Sequence, residues 1–285
     1  MFHLDQTVGG VLITGASSGI GEALALACAH RGARHLFLCG RNAERLAAVV
    51  SRCREIAAAR DAAEPMHIEG RVLDVTDADA MRGWIEACEA IVPLEVVFSN
   101  AGIGTGIESE ENVRRTFATN VGGGLNTVLP ALEAFRRRPL TADGRPRRRQ
   151  IVITASIAGY APLPTCPSYA GTKAAMKSWG LSLRGMLKRE GIAVNVVCPG
   201  FVRSRITDRN TCPMPFFMEA ERAAAIILDR VDRNIGLIAF PWPMRFGVWL
   251  LAMLPWRISE LIARLLPEKT SSGRCKGRDD MKIAF

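Results

Sequence analysis

Short apolar runs alternate with amphipathic stretches along most of the chain. Runs dense in β-formers and bounded by turn residues predict strands over 11–14, 35–39, 67–73, 96–100, 150–154, 193–198 and 236–240. Between them, apolar residues at helical spacing predict helices near 20–30, 43–60, 78–91, 110–137, 168–189 and 219–233. Val96-Val97-Phe98 and Val194-Asn195-Val196-Val197 are almost uninterrupted β-formers, as strands buried on both faces should be. Regular strand–helix alternation predicts an α/β fold, a doubly wound parallel sheet covered by helices on both sides. The pattern shows no internal repeat and no second domain.

The pattern changes near residue 240. Phe246 to Leu254 are nine apolar residues in a row, too few to span a bilayer, which takes about 20. Beyond Pro255, Ile258, Leu261, Ile262, Leu265 and Leu266 recur at helical spacing, with Arg257, Glu260 and Arg264 between them. Trp242, Trp249 and Trp256 punctuate the segment. Three readings stay open: an interfacial membrane anchor, a lid over a pocket, or a helical pair packed on the protein or a neighbouring subunit. Packing or a lid is the more ordinary fate of such stretches. The organisation expected is therefore a globular body over 1–240, a hydrophobic helical extension over 241–267 and a polar tail over 268–285.

Length and composition sharpen this. The chain has 285 residues, 48% hydrophobic and 23% charged, enough for one large core. Net charge is +9, from 37 Lys and Arg against 28 Asp and Glu. Much of the excess sits in residues 136–149, with arginines at 136, 137, 138, 145, 147, 148 and 149 against Asp143 alone. Pro139, Gly144 and Pro146 make this a loop, expected to be solvated. No nucleic-acid motif accompanies it, so nucleic acid is not an expected partner. Residues 1–10 are too short and too polar for a secretory signal. The eight cysteines lack metal-ligand spacing and read as reduced thiols in a cytoplasmic protein; no metal site is expected.

Two constellations carry chemistry. Tyr169 and Lys173 stand four residues apart, about one helical turn, so both project from one face. An ammonium beside a phenol should lower a pKa that is ordinarily about 10. Such a tyrosine exchanges a proton with a carbonyl or alcohol oxygen, and Ser156, thirteen residues upstream, would add a second hydrogen bond. Tyr-x-x-x-Lys alone is also a common helix surface. At the other end of the chain, Val11–Ile13 leads into Thr14-Gly15-Ala16-Ser17-Ser18-Gly19-Ile20-Gly21 and then a helix. Strand, glycine-rich turn and helix set a pyrophosphate on a helix N-terminus, although a plain tight turn has a similar look.

Together these motifs resemble the short-chain dehydrogenase/reductases, in their compact single-domain branch. Gly15, Gly19 and Gly21 match its Thr-Gly-x-x-x-Gly-x-Gly turn. Leu73-Asp74-Val75-Thr76 resembles the strand end whose aspartate holds the adenine amino group. Asn100-Ala101-Gly102 matches the turn supporting the central strand and cofactor. Asn120 matches the catalytic asparagine, and Ser156, Tyr169 and Lys173 complete a tetrad. Pro199-Gly200 matches the turn near the nicotinamide, with Val202 beyond it. Ser204 stands where many relatives carry a threonine.

The resemblance implies a Rossmann fold, ketone–alcohol interconversion with a nicotinamide cofactor, and a homodimer or homotetramer built on the helices near 110–137 and 168–189. In that mechanism Asn120 organises a water, Ser156 polarises the carbonyl and Tyr169 is the acid or base. Lys173 holds the nicotinamide ribose. Residues 38–42 lack the acid that would select NAD and offer Arg41, with Ser18 nearby, for a 2′-phosphate. NADP(H) is therefore expected. The segments after Ser156 and after Gly200, including Tyr160, Leu163, Phe201, Met214, Phe216 and Phe217, are mostly apolar. They predict a hydrophobic or acyl-chain substrate, with Arg203, Arg205 and Arg209 as clamp or solvated face. A nucleotide-binding scaffold or redox sensor with little turnover is the alternative. The apolar C-terminal segment leaves peripheral membrane contact open.

Overall fold

In a computed structural model describing residues 9–60, 65–104, 106–138, 148–208 and 213–264, seven strands form one parallel sheet. They are β1 Gly10–Thr14, β2 His35–Gly40, β3 His67–Val72, β4 Leu94–Ser99, β5 Gln150–Thr154, β6 Ala193–Pro199 and β7 Leu237–Phe240. Their order is β3-β2-β1-β4-β5-β6-β7, and every pairing is parallel. The order reverses between β1 and β4, which opens a crevice at the carboxyl ends of the strands. This is the doubly wound architecture that the hydrophobic pattern predicts.

Side-chain alternation along each strand builds two cores. Val11, Ile13, Leu36, Leu38 and Phe98 face one side, against helices α1 Gly19–His30, α2 Ala43–Ala58 and α8 Ala220–Asp232. Leu12, Phe37, Val97, Ile151 and Ile153 face the other, against α3 Ala78–Ile91, α5 Gly123–Arg137 and α6 Pro167–Leu187. Each fully buried large side chain contributes about 1.5–3 kcal/mol, so both faces are strongly specified.

The single helix expected over 110–137 is instead broken. α4 covers Glu110–Phe117, a π-helical turn follows at Ala118–Gly122, and α5 begins at Gly123. Two causes are visible. Gly122, Gly123 and Gly124 weaken the helix, and the last two permit close approach. A Cβ on Gly123 would lie 2.4 Å from Val75 and one on Gly124 2.5 Å from Met176. The turn also carries Asn120, whose side chain is bound elsewhere. Turns of this kind favour functional sites. A further one-turn helix, α7 Arg205–Asp208, was not predicted.

The arginine-rich segment also differs from expectation. Residues 139–147, with Arg145 and Arg147, lie outside the described residues; of its flanks, Arg136 and Arg137 are exposed as expected, while Arg138, Arg148 and Arg149 are anchored in the folded body. Arg148 is buried, with Nη2 3.3 Å from Asp232 and Nε donating to Gln150 across 2.7 Å. Arg149 is buried and donates to the Arg138 carbonyl; Arg138 pairs with Glu89. Arg136 pairs with Glu190 and Arg137 with Glu133. Among its described arginines, 136, 137, 138 and 148 pair with acids of the folded body.

After β7 come α9 Trp242–Met253 and α10 Trp256–Arg264. Met244 and Val248 of α9 pack on a small cluster with Ile157, Cys198 and Ala239. The predicted tail, 268–285, lies outside the described residues, as do Arg209, Cys212 and Cys275. No described helix is long and apolar enough to cross a membrane.

Candidate active site

The glycine turn closes on the start of α1. Gly15 and Gly19 hold φ of +67° and +58°, values that suit glycine. A Cβ on Gly21 would sit 2.2 Å from the Gly15 carbonyl oxygen and 2.7 Å from the Asn100 amide. Ser18 is the N-cap residue of α1, yet its side chain makes no capping hydrogen bond. The first amides of α1 are thus not claimed by that hydroxyl, which fits an anion-binding helix start. Ser17 lies against Gly40 at the end of β2, and Ile20 packs on the first core.

Thr14 ties the strand ends together. Its hydroxyl donates to the Phe98 carbonyl (3.2 Å) and accepts from the amides of Asn100 (3.0 Å) and Ala101 (3.1 Å). Asn100 donates to the Thr14 carbonyl (3.1 Å) and accepts from Thr154 (3.3 Å). β1, β4 and β5 are therefore pinned at the crevice. Gly102 follows; a Cβ there would lie 3.2 Å from both Asn120 Oδ1 and Lys173 Nζ. That near-collision locates Asn120 and Lys173 on one side of the same turn.

Asn120 is buried. Its Oδ1 accepts from the Ile103 amide (2.8 Å), and its Nδ2 donates to the Ile103 carbonyl (3.0 Å) and to Thr172 Oγ1 (3.0 Å). Ser156 ends the stretch after β5. Its hydroxyl donates to the Pro199 carbonyl (3.4 Å) and accepts from the Ala158 amide (3.1 Å). α6 starts with Pro167 at its first position, a preorganised opening. Glu108 stands in for a cap, accepting from the Ser168 amide (3.0 Å) and hydroxyl (2.9 Å). This fixes the start of α6, from whose first two turns Tyr169 and Lys173 project.

Lys173 is 4% exposed and donates to the Thr154 carbonyl across 2.9 Å; Nζ lies 5.7 Å from the Tyr169 ring centroid. Burial lowers its pKa to about 8. Tyr169 departs from expectation. Burial pushes its phenol up to about 12, and a hydrogen bond with Ser156 only partly offsets this. The Lys173 ammonium, turned to Thr154, does not win against desolvation in the protein without ligand. Tyr169 is therefore a phenol at neutral pH, a proton donor.

The remaining cofactor positions line the crevice. Arg41 Nη1 lies 3.4 Å from Asp74 at the ends of β2 and β3. Burial opposes ionisation of Asp74, but hydrogen bonds from Thr76 and the Arg41 cation outweigh it and hold its carboxyl below the ordinary value. Val75 is buried, its carbonyl accepting from Asn126 at 2.9 Å. The Gly200 amide donates to Phe240 beside Pro199. Val202 is buried and bridges to Met218. Ser204 meets the glycine turn: a Cβ on Gly19 would lie 2.9 Å from that of Ser204. Arg203 is bound to Glu219 through two hydrogen bonds (2.6 and 3.0 Å) and exposed, a solvated pair rather than a clamp.

Several supporting residues carried no role at the level of sequence. Thr154 and Thr172 hold Lys173 and Asn120, and Thr207 braces Ser204, accepting from its amide at 2.8 Å. Thr14 is visible in the glycine motif; Thr154 and Thr172 bear only the signal of neighbouring the tetrad, and Thr207 that of lying three residues beyond Ser204. The constellation fits a dinucleotide, with glycines where side chains would collide and helix amides left for phosphate.

Comparison with known proteins agrees. The short chain dehydrogenase family model matches residues 10–213. An uncharacterized oxidoreductase of Myxococcus xanthus is 34% identical over 260 residues, covering 90% of this chain and 96% of that protein. A granaticin polyketide synthase putative ketoacyl reductase of Streptomyces violaceoruber is 31% identical, covering 70% of this chain and 69% of its own. A solved short-chain dehydrogenase from Sphingobium yanoikuyae, in complex with NADPH, superposes with a TM-score of 0.70 at 25% identity, covering 87% of this chain and 97% of that one. The chain is a short-chain dehydrogenase, an oxidoreductase of the NAD(P)-dependent type acting between alcohol and carbonyl.

Proposed function

We propose that this enzyme reduces a ketone to a secondary alcohol with NADPH, on a substrate with a hydrophobic or acyl-chain body. The observation that carries the reading is the convergence of Asn120, Ser156, Tyr169 and Lys173 at one strand-end crevice. The chemistry a bound NADPH supplies is hydride delivery to the carbonyl carbon. Ser156 orients and polarises the carbonyl oxygen, and Tyr169 donates the proton to it. Lys173 binds the nicotinamide ribose, and Asn120 holds a water that returns the proton to Tyr169.

Gly15, Ser17, Ser18, Gly19, Ile20 and Gly21 cradle the pyrophosphate, with Asn100, Ala101 and Gly102 beneath. Asp74 and Val75 hold the adenine end, Arg41 the 2′-phosphate, and Pro199, Gly200, Val202 and Ser204 the nicotinamide. NADP(H) is favoured because Arg41 is a cation at a position without a competing acid in residues 38–42. The ketoacyl reductase relative supports an acyl-type carbonyl. Exposed Ile206, Phe216 and Phe217 beyond Gly200 support a greasy substrate.

On this reading residues 1–240 are the catalytic domain and 241–267 a hydrophobic extension of a cytoplasmic homo-oligomer. The test is NADPH consumption against ketones of increasing chain length, with Tyr169→Phe as control. Rates that climb with chain length and vanish in the variant support it. Tight NADPH binding with no turnover across the series sinks it.

A further inference from the structure

Among the described side chains of α10, the apolar ones face outward: Ile258, Leu261 and Ile262 are exposed, Leu261 at 63%, while Ser259 is buried. A helix that packs only on its own protein does the opposite. α9 shows the same excess. One stripe, Met244 and Val248, seats it on the body. A second stripe at helical spacing, Trp242, Phe246, Trp249, Leu250 and Met253, points outward, with Trp242 76% and Met253 66% exposed. The two helices thus present eight large apolar side chains to solvent, more than scattered surface residues account for.

The chemistry of this face says what covers it. α9 carries one charge, Arg245, and α10 adds Arg257, Glu260 and Arg264. The face therefore offers few hydrogen-bonding groups, whereas protein interfaces make roughly one hydrogen bond per 100–200 Å². Hydrocarbon needs none. Arg245 and Arg257 are both exposed on these helices. An anionic lipid surface would neutralise them. Tryptophans beside aliphatics, edged by arginine, suit the boundary between headgroups and acyl chains.

We propose that α9 and α10 form a docking surface for an anionic lipid membrane, on which the protein lies peripherally. The placement matters because α9 also abuts the site. A Cβ on Gly200 would lie 2.9 Å from Pro241, 3.1 Å from Met244 Sδ and 3.1 Å from Ile157, next to Ser156. Docking through α9 brings the crevice rim to the lipid surface. The inference rests on the surface itself and stands whether or not the substrate is lipid-like.

The test is flotation of the full chain with vesicles of phosphatidylcholine alone or mixed with phosphatidylglycerol. The wild type should float with the mixed vesicles. Trp249→Glu combined with Leu250→Glu should weaken binding at least roughly tenfold. Arg245→Gln should weaken it about fivefold on mixed vesicles only, one basic residue's worth at an anionic surface. NADPH affinity, unchanged in each variant, reports an intact fold. A wild type that floats with neither vesicle overturns the proposal; if light scattering then shows self-association that the double variant loses, the face belongs to a second copy. Equal flotation of wild type and double variant overturns it too, by placing the lipid contact elsewhere.

Discussion

Lys173 reaches across from α6 to the end of β5, where its ammonium donates to the Thr154 carbonyl at 2.9 Å, with Nζ 5.7 Å from the Tyr169 ring centroid. Burial of the ammonium gives a pH signature. The folded-state pKa of about 8 lies below the ordinary 10.5. Below pH 8 both folded and unfolded chains carry the proton, and the folded state bears the full desolvation cost, about 3 kcal/mol. Between pH 8 and 10.5 the unfolded chain keeps a proton that the folded one has lost, so this contribution makes stability rise with pH. Lys173→Met should therefore be more stable than wild type at pH 7 by about 2 kcal/mol, after roughly 1 kcal/mol for the lost hydrogen bond. The gap should vanish at about pH 9.5 and reverse, to about 1 kcal/mol in favour of wild type, by pH 10.5. Urea unfolding of both proteins at the two pH values checks this; a gap independent of pH would contradict a buried, shifted lysine.

Tyr169→Phe removes the one group placed to donate a proton while keeping the ring. Turnover should fall roughly 10²- to 10⁴-fold, the usual worth of positioned acid catalysis. NADPH affinity should hardly change, because the phenol is not needed to bind phosphates. Ser156 keeps its bonds to the Pro199 carbonyl and Ala158 amide in the variant. A parallel loss of cofactor binding, read by fluorescence titration, would show the substitution acting through the fold instead.

Much of this site was legible in the chain because its parts are local. The glycine turn, Asp74, the Asn100 turn and the Tyr169–Lys173 pair each lie within one short segment, and a parallel sheet brings strand ends to one edge whatever the loop lengths. What was not legible depends on contacts between distant segments. Helix periodicity runs unbroken through residues 110–137, yet a π turn at Ala118–Gly122 interrupts it, where Gly122–Gly124 weaken the helix and Ile103 and Thr172 bind the Asn120 side chain. Arg148 reads as a loop cation until Asp232, 84 residues on, comes beside it. The Tyr169 pKa went the other way because spacing reveals the neighbouring lysine but not the depth of burial.

Arg41 is the cofactor selector on the reading above, and its partner Asp74 makes the test sharper. Arg41→Ala should raise the NADPH KM roughly tenfold or more, the worth of one charge-assisted hydrogen bond. The NADH KM should stay within about twofold. The Asp74 carboxyl, relieved of its cation, keeps its bonds from Thr76 and should still serve the adenine end. Steady-state kinetics with both cofactors decide the matter. Equal losses for NADPH and NADH would mean that Arg41 shapes the crevice through Asp74 and does not read the phosphate.

Asn120 and Thr172 separate holding from catalysing. Asn120→Ala would leave both the amide and the carbonyl of Ile103 without their side-chain partner, in a half-buried turn. It should cost about 1–3 kcal/mol and loosen the turn beneath the cofactor, so turnover and NADPH affinity fall together. Thr172→Val is milder. Valine keeps the shape at a fully buried position and removes only the acceptor that steadies Asn120 Nδ2, together with the hydroxyl's bond to the Tyr169 carbonyl. Its stability cost should stay near 1 kcal/mol, with NADPH affinity intact. If Asn120 acts by orienting a water, kcat should still drop roughly tenfold, because a freed amide no longer presents a fixed partner. Wild-type kcat in Thr172→Val, alongside a crippled Asn120→Ala, would assign Asn120 to holding the Ile103 turn and remove it from the proton path.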